Sequence, residues 1–198
     1  MSGRSATVDR KTGETEVRVS LVLDGRGAAT VSTGIGFLDH LLTALGKHAR
    51  FDLDLECRGD LEVDDHHTAE DCALALGQAL DHALGERRGI QRFGTAMAPL
   101  DEALARAVVD LSGRPFADVN LGLSRKSIGQ LACENVPHVL HSLATAGRLT
   151  LHVDCLKGEN DHHRAESAFK ATALALRQAV ARSGFDDVPS TKGTLGNG

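Results

Sequence analysis

Two hexapeptides decide the fold of this chain: Asp65-His66-His67-Thr68-Ala69-Glu70 and Asp161-His162-His163-Arg164-Ala165-Glu166. Each copy offers two imidazoles and one carboxylate within a single helical turn. These nitrogen and oxygen ligands suit a divalent transition metal. Because the two copies occur in matching contexts, they indicate a duplicated half-domain that builds two metal positions.

The duplication extends outward from the hexapeptides in both directions. Residues 14–26 align with residues 102–114, and in both stretches an alternating, strand-like run ends in a Gly-Arg turn. Residues 51–57 resemble residues 149–155 in the same way. The alignment is interrupted by an insertion at about 124–133 in the second half.

Helices are expected to follow each hexapeptide, over 69–84 and 165–181, because apolar residues recur there at three- and four-residue spacing. Asp65 and Asp161 are the expected N-caps, since a short carboxylate can accept hydrogen bonds from the free amides of a first helical turn.

Each half therefore predicts the order strand, turn, strand, helix, strand, strand or loop, helix. This order favours an α+β fold of two pseudo-repeated half-domains, each a four-stranded sheet with two helices on one face. The prediction is one domain over 1–198, with repeats at about 10–90 and 91–185. A polar, Gly-rich C-terminal tail, 186–198, is expected to be mobile.

Composition narrows the classes of function. The 22 basic and 27 acidic residues give a net charge of −5, which argues against a nucleic-acid partner. No apolar run reaches membrane-spanning length, and the N-terminus lacks the apolar segment of a signal peptide. The four cysteines show no disulfide-scaffold spacing. These features predict a cytoplasmic protein without a membrane partner.

The histidines supply enough ligands for two metals. His40 and His138 occupy equivalent places in the repeat and can each add an imidazole to the hexapeptide ligands. Adjacent histidines do not easily chelate one ion, but they can reach towards two. The candidate set contains six imidazoles and two carboxylates, four ligands per metal: His40, His66, His67, Glu70, His138, His162, His163 and Glu166.

Four motifs resemble those of the imidazoleglycerol-phosphate dehydratase family, and the similarity covers essentially the whole chain. The motifs are Gly34-Ile35-Gly36-Phe37-Leu38-Asp39-His40, Asp64-Asp65-His66-His67-Thr68-Ala69-Glu70-Asp71, Leu111-Ser112-Gly113-Arg114-Pro115 and Gly158-Glu159-Asn160-Asp161-His162-His163.

The resemblance implies a manganese-dependent lyase of L-histidine biosynthesis with two Mn²⁺ per active site. The implied reaction converts D-erythro-1-(imidazol-4-yl)glycerol 3-phosphate into 3-(imidazol-4-yl)-2-oxopropyl phosphate, with the substrate bound to the metals as an imidazolate. The resemblance also implies a homo-oligomer of 24 subunits whose active sites are shared between chains.

Carried onto this chain, the resemblance assigns all eight candidate ligands to metal. The repeat favours His40, His67 and Glu70 around one ion, and His138, His163 and Glu166 around the other, with His66 and His162 crossing between them. Pro137 departs from the family pattern, which usually has an acidic residue before His138.

The resemblance also implies catalytic and substrate-binding residues. Glu14 matches an acidic residue near the reacting carbons, although a metal-bound hydroxide is an alternative carrier of the proton. The residues expected in catalysis are Glu14, His67, Glu70, His163 and Glu166. Those expected to contact the phosphate substrate are Glu14, Arg92, Arg114, Lys170, Ser190, Thr191 and Lys192, with His48 as a weaker candidate.

Two other functions use similar ligands. A dinuclear metallohydrolase is the chemical alternative, but it normally recruits more carboxylates than Glu70 and Glu166. A metal-storage or metal-sensing module is the non-enzymatic alternative, and it gives no role to Glu14 or Arg114.

Overall fold

The same succession of elements occurs twice along the chain. The structure, a computed structural model, describes residues 3–195. The first half comprises β1 (Ser5–Lys11), β2 (Thr15–Val22), β3 (Ala29–Ser32), α1 (Gly36–Ala49), β4 (Asp52–Gly59) and α2 (His66–Leu84). The second half comprises β5 (Phe93–Leu100), β6 (Ala103–Asp110), β7 (Phe116–Asn120), β8 (Ser127–Ile128), β9 (Leu131–Ala132), α3 (Asn135–Ala146), β10 (Thr150–Lys157) and α4 (Asp161–Val180).

The two main sheets share one topology. Their strand orders are β1-β2-β4-β3 and β5-β6-β10-β7. In each sheet the first three strands are antiparallel and the short last strand runs parallel to its neighbour. The alternation seen in the sequence sets the faces: in β2, Val17, Val19 and Leu21 are buried, whereas Glu16 and Arg18 are exposed. The predicted α+β fold with a four-stranded sheet in each half is confirmed.

The two halves meet through their helices. α1 packs against α4 and α2 packs against α3, while each sheet covers the other side of its own helix pair. Small residues permit this close packing: a Cβ added at Gly94 of β5 would lie 1.9 Å from the carbonyl oxygen of Ala175 in α4. The core is therefore a layer of helices between two sheets.

The topology also places all four helix N-termini at one end of the molecule. Since β3 and β4 run parallel, the helices that follow them, α1 and α2, begin at the same edge of the first sheet. The same holds for α3 and α4 behind β7 and β10. The contacts between halves then join the two edges, and every candidate metal ligand comes from the first two turns of a helix.

The predicted insertion folds as the two-stranded β8-β9 hairpin, and it revises the role of two aspartates. Asp65 occupies the N-cap position of α2, but its Oδ2 accepts a hydrogen bond from the backbone N–H of Ala132, at 2.6 Å, and not from its own helix. Asp161 is the first residue of α4 and accepts from the backbone N–H groups of Ser124 and Arg125, at 2.9 and 2.7 Å.

The prediction that Asp161 caps α4 is therefore wrong. Asn160 caps that helix, and its Oδ1 accepts from the backbone N–H of His162 at 2.9 Å. The predicted helix starts at 69 and 165 are also several residues too late, because both hexapeptide histidine pairs are already helical. Backbone N–H groups of the inserted segment donate to the carboxylates of both aspartates. A sequence alignment of the two halves does not reveal these hydrogen bonds.

The C-terminal segment crosses the end of the molecule opposite the helix N-termini. The carbonyl oxygens of Asp186, Asp187 and Pro189 accept hydrogen bonds from Arg88, the backbone of Gly89, and Arg92, at 2.9, 2.8 and 2.7 Å. Residues 196–198 of the predicted tail lie outside the described residues. The mobility of the tail stays a prediction.

Candidate metal centres and active site

One group of candidate ligands joins α2 to α3. His66, Glu70 and His138 offer ligand atoms that all lie within 4.8 Å of one another. Nε2 of His138 is 3.1 Å from Oε1 of Glu70, and the His66 and His138 rings stack with centroids 4.9 Å apart. Asn135, which is buried, places its Oδ1 2.9 Å from Nδ1 of His66 and fixes that ring.

A second group joins α1 to α4. His40, His162 and Glu166 also offer three ligand atoms within 4.8 Å. Oε2 of Glu166 is 2.9 Å from Nε2 of His40 and 3.1 Å from Nε2 of His162. Although burial raises the pKa of Glu166, hydrogen bonds from Lys170 and His40 outweigh it and lower the pKa to about 2. This carboxylate is ionised and available to a cation at neutral pH.

Within residues 3–195, the candidate ligands group differently from the predicted distribution between two ions. His40 lies with Glu166 rather than Glu70, and His138 lies with Glu70 rather than Glu166. The reason is that α1 packs on α4 and α2 on α3, so each group draws its ligands from both halves. The repeat identifies the candidate ligands but not which of them lie together.

His67 joins neither group within residues 3–195. Its ring stands at 71° to that of His66, so the adjacent imidazoles diverge. Nδ1 of His67 lies 2.9 Å from Oδ2 of Asp60, and Nε2 lies 3.6 Å from Oε1 of Glu14. The hydrogen bond to Asp60 and the charge of Glu14 raise the pKa of His67.

His163 repeats this arrangement in the second half. Its ring stands at 87° to that of His162. Nδ1 lies 2.7 Å from Oε2 of Glu102, and Nε2 lies 3.9 Å from Oδ2 of Asp101. Backbone N–H groups of Asn160 and Glu159, together with His163, lower the pKa of Glu102 to about 2. Each outlying histidine thus has its Nδ1 held by one carboxylate and its Nε2 beside an exposed second one.

Four residues around the imidazoles were not among the candidates from the sequence: Asp60, Asp101, Glu102 and Asn135. Glu102 could have been found, because it aligns with Glu14 in the repeat. Asp101 is its neighbour in the same turn. Asp60 and Asn135 carry no comparable signal, since each depends on how a loop or helix is placed in three dimensions.

Two of the predicted substrate contacts lie beside the α1–α4 group. Nζ of Lys170 is 2.6 Å from Oε1 of Glu166, one helical turn along α4. His48 lies two turns along α1 from His40, and burial together with the charge of Lys170 lowers its pKa. Glu14, the candidate proton carrier, is in the β1–β2 turn with its side chain 54% exposed.

The remaining predicted substrate contacts lie at the other end of the molecule. The backbone of Arg92 donates to the carbonyl of Ala179 near the end of α4, and roughly 20 Å of helix separates Ala179 from Glu166. The Arg92 guanidinium contacts both oxygens of Asp110, at 2.7 and 3.1 Å, and also the carbonyl of Pro189.

The other members of this distal set are Arg114, Ser190, Thr191 and Lys192. Arg114 follows β6, which ends at Asp110, and its side chain is exposed. Ser190 begins a turn in which its Oγ accepts from the backbone N–H of Lys192 at 3.2 Å. One chain therefore does not bring its candidate metal ligands and this distal set, with its cationic residues, to the same place.

Comparisons with known proteins agree with one another. Residues 33–176 match the family model of imidazoleglycerol-phosphate dehydratase, IGPD. The IGPD of Eremothecium gossypii is 57% identical over 213 aligned positions, covering 96% of this chain and 97% of that protein. The crystal structure of the Staphylococcus aureus enzyme superposes with a TM-score of 0.82 at 35% identity, over 90% of this chain and 99% of that one. The crystal structure of the Pyrococcus furiosus IGPD in complex with (S)-C348 superposes with a TM-score of 0.82 at 36% identity, over 95% of this chain and 100% of that one.

Proposed function

Since the chain belongs to the imidazoleglycerol-phosphate dehydratase family, and is therefore a lyase of the dehydration step of histidine biosynthesis, we propose a specific reaction and metal set for it. The substrate is D-erythro-1-(imidazol-4-yl)glycerol 3-phosphate and the product is 3-(imidazol-4-yl)-2-oxopropyl phosphate. The two His-His-Glu groups at the helix N-termini are the observation that carries this proposal.

Two Mn²⁺ ions are proposed, one for each group. The donor sets fit, because each group offers two imidazole nitrogens and one carboxylate, which suit a divalent transition metal. Bound Mn²⁺ would supply Lewis acidity that stabilises the imidazole ring of the substrate in its anionic form. His66, Glu70 and His138 would hold one ion, and His40, His162 and Glu166 the other.

His67 and His163 are the proposed further ligands, provided by neighbouring chains. Neither joins a group within the described part of its own chain, although each has a fixed ring with Nε2 directed away from its anchoring carboxylate. Each hexapeptide would thus contribute two ligands to its own chain and one to another.

A site shared between chains would also explain why the distal cationic residues lie far from the proposed metal ligands of their own chain. Arg92, Arg114 and Lys192 would bind the phosphate of a substrate held at the metal ligands of another chain. The planar guanidinium group of arginine suits this task, because two of its N–H groups can donate to two phosphate oxygens at once. This arrangement supports a homo-oligomer in which no chain has a complete active site alone, and the family resemblance sets the proposed number at 24 subunits.

Proton transfer is assigned to Glu14. Its carboxylate is exposed and lies 3.6 Å from Nε2 of His67, so it adjoins the metal ligands without being committed to them. Lys170 and His48 complete the polar wall beside the α1–α4 group. General acid–base catalysis needs such a carboxylate within hydrogen-bond reach of the reacting carbon.

The proposed location of the enzyme is the cytoplasm. Among the helices of residues 3–195, none combines the length and the apolarity needed to cross a lipid bilayer. A biosynthetic lyase acting on a small phosphate ester agrees with this placement.

The proposed function is tested with purified protein, the phosphate substrate and Mn²⁺. We expect formation of the oxopropyl product, measured by the ultraviolet absorbance of its enol in alkali. Removal of metal with a chelator should abolish activity, and added Mn²⁺ should restore it. Release of inorganic phosphate without this product would indicate a metallohydrolase, and metal binding without turnover would indicate a storage module.

Truncation after Val188 tests the phosphate role of the tail. The variant loses Ser190, Lys192 and the Pro189 carbonyl that Arg92 contacts at 2.7 Å. A charge-assisted hydrogen bond contributes about 1.5–3 kcal/mol, so we expect KM to rise roughly 10–100-fold while metal content stays constant. A chain ending at Leu195 is the matched control and should keep its kcat/KM. An unchanged kcat/KM in the shorter variant would exclude the tail from substrate binding.

A further inference from the structure

The two halves anchor their outlying histidines with carboxylates from different places in the repeat. In the first half Asp60 holds Nδ1 of His67, and in the second half Glu102 holds Nδ1 of His163. Glu102 is the repeat counterpart of Glu14, not of Asp60. The same position in the repeat therefore has a different environment in each half.

The reason lies in the loop before each hexapeptide. The counterpart of Asp60 in the second half is Glu159. β10 is irregular between Cys155 and Lys157, so Gly158 matches Gly59, where an added Cβ would meet Thr68 and Thr15, the repeat counterparts of Arg164 and Ala103. A Cβ at Gly158 would lie 2.8 Å from Cγ of Arg164 and 3.0 Å from Cβ of Ala103, and its φ is +144°. The side chain of Glu159 is exposed, and its backbone N–H donates to Oε1 of Glu102, so the second half draws its anchor from the β5–β6 turn.

Glu102 is fully engaged in this role. Its Oε1 accepts from the backbone N–H groups of Glu159 and Asn160, at 3.1 and 2.9 Å, and its Oε2 lies 2.7 Å from Nδ1 of His163. Glu14 has no such engagement with the loop of its own half: Asp60 already holds His67, and the Glu14 side chain stays 54% exposed.

We propose that Glu102 and Asp60 are positioning residues that hold the Nδ1–H tautomer of His163 and His67, so that Nε2 of each ring is the atom offered to a metal. It follows that Asp60 frees Glu14 for proton transfer, whereas Glu102, at the same repeat position, is an anchor and not a second catalytic carboxylate. The proposal rests on the proposed function, in which His67 and His163 are metal ligands. Carboxylates that fix ligand histidines in this way orient the ring and strengthen metal binding.

Glu102→Gln is the test, because it changes one atom and leaves the shape intact. The amide oxygen can keep the two backbone hydrogen bonds at the Oε1 position, which places the amide NH₂ against Nδ1 of His163. His163 must then accept at Nδ1 and carry its proton on Nε2, where it can no longer bind a metal. We expect Mn²⁺ affinity at one of the two positions per chain to fall by about 10–100-fold, measured on the full assembly by the electron paramagnetic resonance of free Mn²⁺.

The controls separate positioning from a general structural effect. Glu16→Gln, an exposed position on β2, should bind Mn²⁺ as the unsubstituted protein does. In a His163→Ala background, Glu102→Gln should cause no further loss, because a residue that acts only through His163 has nothing left to position.

Two results would overturn the positioning role while leaving the proposed function intact. They are unchanged Mn²⁺ affinity in Glu102→Gln alongside a loss in His163→Ala, and an additional loss in the double variant. Unchanged Mn²⁺ binding in His163→Ala itself would instead refute the proposed ligand set, and the positioning proposal with it.

Discussion

His163→Ala and His67→Ala should each abolish dehydration and weaken the assembly. Each substitution removes an imidazole whose ring is fixed by a carboxylate 2.7 or 2.9 Å away but which joins neither ligand group within residues 3–195. If these rings complete sites in neighbouring chains, their loss removes both a metal ligand and a link between subunits. A bound metal contributes several kcal/mol to the transition state, so we expect kcat/KM to fall by at least about 10³-fold.

The measurements are turnover, Mn²⁺ per chain and oligomer mass, made on the same preparation. His82→Ala is the matched control, because His82 is exposed near the end of α2 and far from the hexapeptides. It should leave all three quantities unchanged. Full activity with unchanged metal content in either His67→Ala or His163→Ala would rule out the proposed dinuclear site.

Mixing variants tests whether the site is shared. A chain carrying His163→Ala keeps its distal residues, and a chain carrying Arg92→Ala keeps its metal ligands. If sites combine residues from different chains, an assembly reconstituted from both variants contains some sites with neither substitution and regains part of the activity. If each site belongs to one chain, every site carries one substitution and the mixture stays inactive.

The duplication made the fold predictable from the sequence. Alternating apolar residues in β2 and three- and four-residue spacing in α2 and α4 specify strand and helix by local periodicity. Two copies of the same order then specify two equivalent sheets, and the structure confirms both. The family resemblance is confirmed as well.

The grouping of the ligands was not predictable in the same way. Periodicity identifies the buried face of α1 but not the helix that covers it, and His40 meets Glu166 only because that helix is α4. The roles of Asp65 and Asp161 were not predicted for a related reason. Their hydrogen-bond donors come from the inserted segment, which is distant in sequence from Asp65 and from Asp161. Local sequence preferences predicted that both carboxylates cap their helices. Contacts with a distant segment of the chain give them other hydrogen-bond partners instead.

The duplication also explains how one ancestral position can acquire two functions. Glu14 and Glu102 occupy equivalent turns, yet one is exposed beside an Nε2 and the other is bonded to a loop and an Nδ1. The divergence accompanies a difference in the loop before each hexapeptide: Asp60 hydrogen-bonds to His67, whereas its counterpart Glu159 is exposed and donates its backbone N–H to Glu102. Equivalent positions in a repeat therefore need separate assignments from their contacts.

Glu14→Gln should reduce kcat by about 10²–10⁴-fold, the range for loss of a general acid–base group. The substitution keeps the size of the side chain and removes only its ability to take a proton. The backbone of the turn should hold, because the N–H of Glu14 donates to Oγ1 of Thr12 at 3.2 Å independently of the side chain. Mn²⁺ content should also be kept, since Asp60 rather than Glu14 fixes the ring of His67.

The expected loss of kcat with retained metal content distinguishes Glu14 from both Glu166 and Glu16. Glu166→Gln should lose metal together with activity because Oε2 of Glu166 lies within 3.1 Å of two imidazoles. Glu16→Gln, two residues from Glu14 and exposed on β2, should lose neither. In Glu14→Gln we expect KM to change little, because the substitution removes a proton carrier and not a contact to the substrate phosphate. Near-normal turnover would show that a group other than Glu14 moves the proton.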